Sequence, residues 1–166
     1  MTNKISIFDF TKSSSPIKNI LWAGLIAGTL DAIAGVIVYY IYFGFNPFQV
    51  LQFIASGVYG PEAIDSGIPM MLAGTFFHYL IAFVVAVIYF IAFPKIKLLR
   101  TNVVVMGLIF GAAIWGVMNL LILPSSNIPK APFDAGLAVI GIIWHMVLVG
   151  LPIALITANY FSEEKD

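Results

Sequence analysis

Gly24-Leu25-Ile26-Ala27-Gly28 returns as Gly107-Leu108-Ile109-Phe110-Gly111, and Gly74-Thr75-Phe76-Phe77-His78 returns as Gly141-Ile142-Ile143-Trp144-His145. Each copy opens or occupies a long apolar run. The pattern describes two copies of one helical hairpin better than four unrelated helices. It also places one histidine per copy, at matched positions, within segments that should lie in hydrocarbon.

Of the 166 residues, 61% are hydrophobic and 10% charged, and the mean hydropathy is +1.01. So little polar surface cannot clothe a water-soluble domain, which makes the chain an integral membrane protein. Four apolar runs, residues 20–43, 70–93, 103–123 and 137–161, are long enough to cross a hydrocarbon core of about 30 Å at about 1.5 Å per residue. The fold expected is all-α: one four-helix transmembrane bundle over 19–166, with repeat one at 20–93, repeat two at 103–161, and residues 1–18 as a cytoplasmic tail.

Charge sets the orientation. Lys4, Lys12, Lys18, Lys95, Lys97, Arg100 and Lys165 fall on one side of the expected topology and Lys130 on the other, so both termini should be cytoplasmic. The tail lacks a compact apolar core followed by a small-residue cleavage site and does not read as a signal peptide. Basic and acidic residues balance at eight each, so charge gives no reason to expect a nucleic-acid partner. With no cysteine, disulfides and thiolate chemistry are excluded. The partner expected is the lipid bilayer, with homo-oligomerisation or a membrane-protein partner left open by the glycine-rich helix faces.

The connection between runs one and two is too long for a simple turn. Asn46-Pro47 followed by Gln49 reads as an N-cap, a first-turn proline and a capping box, opening a short amphipathic helix from Pro47 to Ser56 that Gly57 ends. Phe48, Leu51, Ile54 and Ala55 recur at helical spacing and should face the interface or the bundle mouth, with Gln49 and Gln52 as polar surface. Residues 61–65 add a further turn. Residues 124–134 contain three prolines and read as extended, with Asp134 the N-cap of the last helix. Both hairpins enter from the same side, so the repeats are parallel, related by an approximate two-fold axis along the membrane normal.

On the first helix Gly24, Gly28, Asp31 and Gly35 share one face, and on the third Gly107 and Gly111 match the first two. Small residues there admit a close neighbour, so the face points into the bundle and carries Asp31 with it. Counting from the outer ends puts Asp31, His78 and His145 at similar depth, about 12 to 18 Å down. Trp115 and Asn119 share that half of the third helix, the tryptophan as a wall of the site. An ionised aspartate there costs on the order of 3 kcal/mol unless a partner relieves it, and the histidines are the obvious partners.

Three functional readings follow. Imidazoles change charge near neutrality, so the first is a proton or cation path in a small transporter-like or accessory membrane unit. The second is a divalent metal held by His78, His145 and Asp31, and the third a b-type haem between His78 and His145. Against these stands a packing bundle in which the histidines only pin helices together. No nucleophile lies at an identifiable spacing from a base and there is no phosphate loop, which favours a non-enzymatic protein. Pro152 removes one backbone donor inside the fourth helix and should kink it.

Gly28-Thr29-Leu30-Asp31, Val50-Leu51-Gln52-Phe53-Ile54-Ala55-Ser56-Gly57 and His78 resemble a family of small, uncharacterised bacterial four-span membrane proteins. The resemblance runs over about residues 23–92. Its most specific part is the Val-Leu-Gln-x-Ile-Ala-Ser-Gly segment, preceded here by Gln49 where the family often carries arginine. The resemblance implies the four-span topology and a bacterial cytoplasmic (inner) membrane, and no activity.

Overall fold

The computed structural model describes residues 15–130 and 132–163. Lys4, Lys12, Lys165 and most of the expected tail lie outside them. The described residues form α1 (Pro16–Phe43), α2 (Pro47–Tyr59), a 3-10 turn (Pro61–Ala63), α3 (Ile68–Ala92), α4 (Lys97–Thr101), α5 (Val103–Ser125) and α6 (Ala135–Ser162). Four of these, α1, α3, α5 and α6, are long and apolar enough to cross a membrane. No strand occurs among the described residues.

Local chemistry explains the ends. Pro16 sits in the first turn of α1, whose missing donor would have no intrahelical partner anyway. Gly44 stops the helix in a left-handed conformation at φ 69°, its N–H donating back to the Tyr40 carbonyl. Asn46 caps α2 through bonds from Phe48 N and Gln49 N, and the Gln49 side chain accepts from Asn46 N, closing the capping box. Asp134 accepts from Leu137 N at 2.7 Å and opens α6. Asn102 does the same for α5 with Val105 N.

α2 departs from expectation at its end and on its face. Gly57 stays helical and the helix runs on to Tyr59, stopping at Gly60 with φ 91°. Its inner face is Gln52, Ala55 and Ser56, all buried, while Phe48 is exposed. Gln52 is not polar surface: Nε2 donates to the Gly67 carbonyl at 3.0 Å and Oε1 accepts from Asp65 N at 3.1 Å. The helix docks along α3, where a side chain at Gly74 would run into the Leu51 carbonyl. Val50 is buried with Gln52, Ala55 and Ser56, so the seam combines one apolar side chain with small and hydrogen-bonded ones. Asn127 ties the far end of α2 to the α5–α6 connection, with N bonded to the Gly57 carbonyl and Nδ2 to that of Val58.

The four long helices pack α3 on α1, α1 on α6 and α6 on α5. Glycines set the separations. Gly24 and Gly28 lie under the Phe83 and Tyr79 rings of α3, and Gly107, Gly111 and Gly150 bring the α5 and α6 backbones together. Gly35 and Gly116 are exceptions, with nothing within 4 Å of a methyl built at either; at Gly35 this is because α1 follows the 145–163 part of α6 and has little contact with its first ten residues. The helices close tightly at the end carrying the start of α1 and the finish of α6, here called the termini end. Ala23, Ala27, Ala86, Tyr89, Phe93, Ile153, Ala154 and Ile156 form the core there. Asp31, His78 and His145 lie toward the opposite, α2 end.

Two π-helical turns interrupt the second hairpin, Met118–Ile122 in α5 and His145–Gly150 in α6. Each ends two residues before a proline, Pro124 and Pro152. A proline cannot bond the carbonyl four residues back and its ring crowds it. A wider turn, in which Leu123 N reaches Met118 O and Leu151 N reaches Met146 O, relieves that crowding by five-residue bonds. Before Pro152 the helix is interrupted by this wider turn, which begins at His145.

Candidate functional site

Asp31 lies between the two histidines. Its Oδ2 is 4.0 Å from His78 Nδ1, and its Oδ1 is 3.7 Å from His145 Nε2. The side chains are 25% (Asp31), 11% (His78) and 13% (His145) exposed. α1 supplies the carboxylate, α3 and α6 one imidazole each, so the face that begins at Gly24 does carry Asp31 inward.

Each imidazole spends its other nitrogen on a backbone carbonyl. His78 Nε2 is 2.7 Å from the Gly28 carbonyl oxygen and His145 Nδ1 is 2.7 Å from that of Gly141. A carbonyl only accepts, so those two nitrogens carry the hydrogens. In the neutral rings His78 Nδ1 and His145 Nε2 are therefore lone pairs, and both face Asp31. The two histidines are held in opposite tautomers by backbone on two different helices.

One strong donor meets the carboxylate: Trp144 Nε1–H, 2.8 Å from Asp31 Oδ1. Its indole also stacks on His145, with ring centroids 5.2 Å apart and planes at 20°. In the sequence Trp144 aligns with Phe77, so a ring without a donor is matched there by one that has it. Tyr79, next to His78, bonds Thr29 of α1 through the two hydroxyls at 2.9 Å and closes that flank.

The two histidines are held differently. Gly74 and Gly141 occupy matched positions, yet only Gly141 gives its carbonyl to the histidine four residues on; at Gly74 the α2 backbone occupies the face, and His78 turns to α1 instead. Trp115 packs at Gly141, on the turn that holds His145. Asn119 is not brought to the carboxylate: Nδ2 donates at 3.0 Å to the Trp115 carbonyl of its own helix.

The arrangement decides between chemistries. Three acceptors converge on one gap: a carboxylate and two imidazole lone pairs. With a single indole donor they repel one another unless a positive charge is present. A proton on either imidazole makes an ion pair worth about 4 kcal/mol at 4 Å and an effective dielectric of 20. The quarter exposure of Asp31 lowers that figure, yet it remains comparable with the roughly 3 kcal/mol insertion cost of the carboxylate. The separations of 3.7 and 4.0 Å exceed a direct hydrogen bond and match a bridged or loosened pair. Among the described residues no group of three or more His, Cys, Asp or Glu side chains is arranged to hold a metal ion. Haem ligation fits poorly too, since an iron between the rings would meet Asp31 and His78 Nε2 is already engaged.

Comparison with protein-family models, curated proteins and solved structures gives no match.

Proposed function

We propose that this chain is a small multi-pass membrane protein that binds and passes a proton at Asp31, His78 and His145, acting as a transporter-like unit or as an accessory subunit of one. The observation that carries the reading is the tautomer arrangement: two helices use backbone carbonyls to aim two imidazole lone pairs at one carboxylate. The bond from His78 to the Gly28 carbonyl already pins α3 to α1; what a pin does not use is the pair of lone pairs left beside Asp31, which leave room for one more proton. The π turn starting at His145 adds weight, because such turns cluster at functional sites.

The membrane in this reading is a bacterial cytoplasmic membrane, supported by the resemblance over residues 23–92. Both termini are cytoplasmic: Lys18, Lys95, Lys97 and Arg100 lie at the termini end and Lys130 at the other. The two hairpins are parallel repeats, supported by the recurring glycines and histidines, with the second copy modified by its prolines and Trp144. α2 then lies on the outer side.

The test is proton uptake into vesicles holding the purified protein, driven by a pH step and read by an internal dye. Asp31→Asn should lower the rate roughly a hundredfold, the low end for removal of a positioned proton-transfer group. An equal rate in the two proteins removes the reading and leaves the cluster as a helix pin.

A further inference from the structure

The Asp31 centre uses none of the polar groups buried at the termini end. Asn19, Tyr89 and Thr157 are 2%, 1% and 0% exposed. Their Asn19 Oδ1, Tyr89 OH and Thr157 Oγ1 atoms have no hydrogen-bond partner among the described residues. The Asn19 amide is not free to turn: Nδ2 donates to the Ile156 carbonyl at 3.0 Å, which fixes Oδ1 as the unengaged end. Buried hydroxyls and amide oxygens are costly to leave unpaired, and ordered water is the usual remedy.

These residues lie at a common depth relative to the site. Asn19 is twelve residues from Asp31 on α1, Tyr89 eleven from His78 on α3, and Thr157 twelve from His145 on α6. Each lies about 16 to 18 Å nearer the termini end at the helical rise. On α6 the π turn absorbs an extra residue, so twelve residues there cover about the same three turns as eleven of regular helix. Thr157 thereby stays on the face that carries His145. Two hydroxyls and an amide oxygen offer donors and acceptors without charge, a set that can hydrogen-bond water.

We propose that Asn19, Tyr89 and Thr157 bind internal water in a second polar layer, through which protons pass between the solution at the termini end and the Asp31 centre. The water site stands on burial and hydrogen bonding alone; the relay rests on the function proposed above. Between the layers Ala27, Ala86, Val149 and Ile153 are buried, so protons cross this aliphatic zone only when the helices move, and the layer fills from the termini end.

The experiment uses the full chain in lipid bilayers. Water-edited solid-state NMR should transfer magnetisation rapidly from water to Thr157 and Tyr89 in spite of their burial, and Thr157→Val with Tyr89→Phe should abolish it. In vesicles the double variant should slow Asp31-dependent uptake by at least about fivefold, the factor for losing even one hydrogen bond of its two hydroxyls, with the imidazole ¹⁵N signals of His78 and His145 unmoved. Absence of water transfer in the unaltered protein, or an unchanged uptake rate in the variant, overturns the proposal. If the double variant does not fold, Tyr89→Phe alone supports the same two measurements. Should the unaltered protein show no Asp31-dependent uptake, the function reading fails, and water transfer alone decides the water layer.

Discussion

Trp144 donates its indole hydrogen to Asp31 across 113 residues of sequence, at 2.8 Å, and joins α6 to α1 at the polar centre. Trp144→Phe keeps the ring that stacks on His145 and removes the donor. It should destabilise the protein by about 1 kcal/mol, within the range for hydrogen bonds between membrane helices. Asp31→Asn in the same background should recover part of that loss, since the amide supplies its own donor to an imidazole lone pair. Reversible unfolding in mixed detergent micelles reads both, and additive effects would show that the two side chains are uncoupled.

Two glycines of the long helices should respond oppositely to alanine. Gly111→Ala sets a methyl against the backbone at His145 and Met146 and should cost about 2 kcal/mol or more by overpacking. Gly35→Ala meets nothing within 4 Å and should stabilise by about 0.5 to 1 kcal/mol through helix propensity. Melting temperatures in one detergent separate the two, and a loss at Gly35 would contradict the open space there.

The glutamines of α2 should divide in the same way. Gln52→Leu strips partners from Asp65 N and the Gly67 carbonyl and should cost about 1 to 3 kcal/mol. Gln49→Leu loses the capping-box bond from Asn46 N and the bond to Asp65, both exposed, and should cost less than 1 kcal/mol. Amide exchange over 60–67 should rise in the first variant and not in the second.

Pro152→Ala restores a donor for the carbonyl four residues earlier and removes the crowding that sustains the π turn. The turn should revert to α-helix, rotating His145 away from Asp31. Proton uptake should fall toward the Asp31→Asn rate while thermal stability rises or holds. Full uptake in this variant would free the site from any dependence on the proline.

The parts of the molecule readable in advance are those decided locally. Run length and hydropathy locate α1, α3, α5 and α6 within a few residues of their ends, and Asn46, Gln49 and Asp134 announce their helices because caps act over three or four positions. The shared face of Gly24, Gly28 and Asp31 follows from helical spacing, so the meeting of Asp31 with two histidines is implicit in the sequence. Three features escape that logic. Gln52 is buried because α2 docks backbone-first at Gly74, a contact with no periodic signature. Trp144 matters through a partner on another helix, and only its alignment with Phe77 marks it. Gly35 belongs to the right face but lies beyond the point where α1 and the start of α6 diverge, which depends on the whole bundle.

The central claim is that the imidazole lone pairs of His78 and His145 face Asp31, and ¹⁵N solid-state NMR of the imidazoles in bilayers tests it most directly. At alkaline pH, where both rings are neutral, His78 should carry its hydrogen on Nε2 and His145 on Nδ1. On acidification the added proton should appear on His78 Nδ1 or His145 Nε2, and Asp31→Asn should shift those two nitrogens and not their partners. Both rings in one tautomer, or hydrogens already on the nitrogens nearest Asp31 at alkaline pH, would contradict the account.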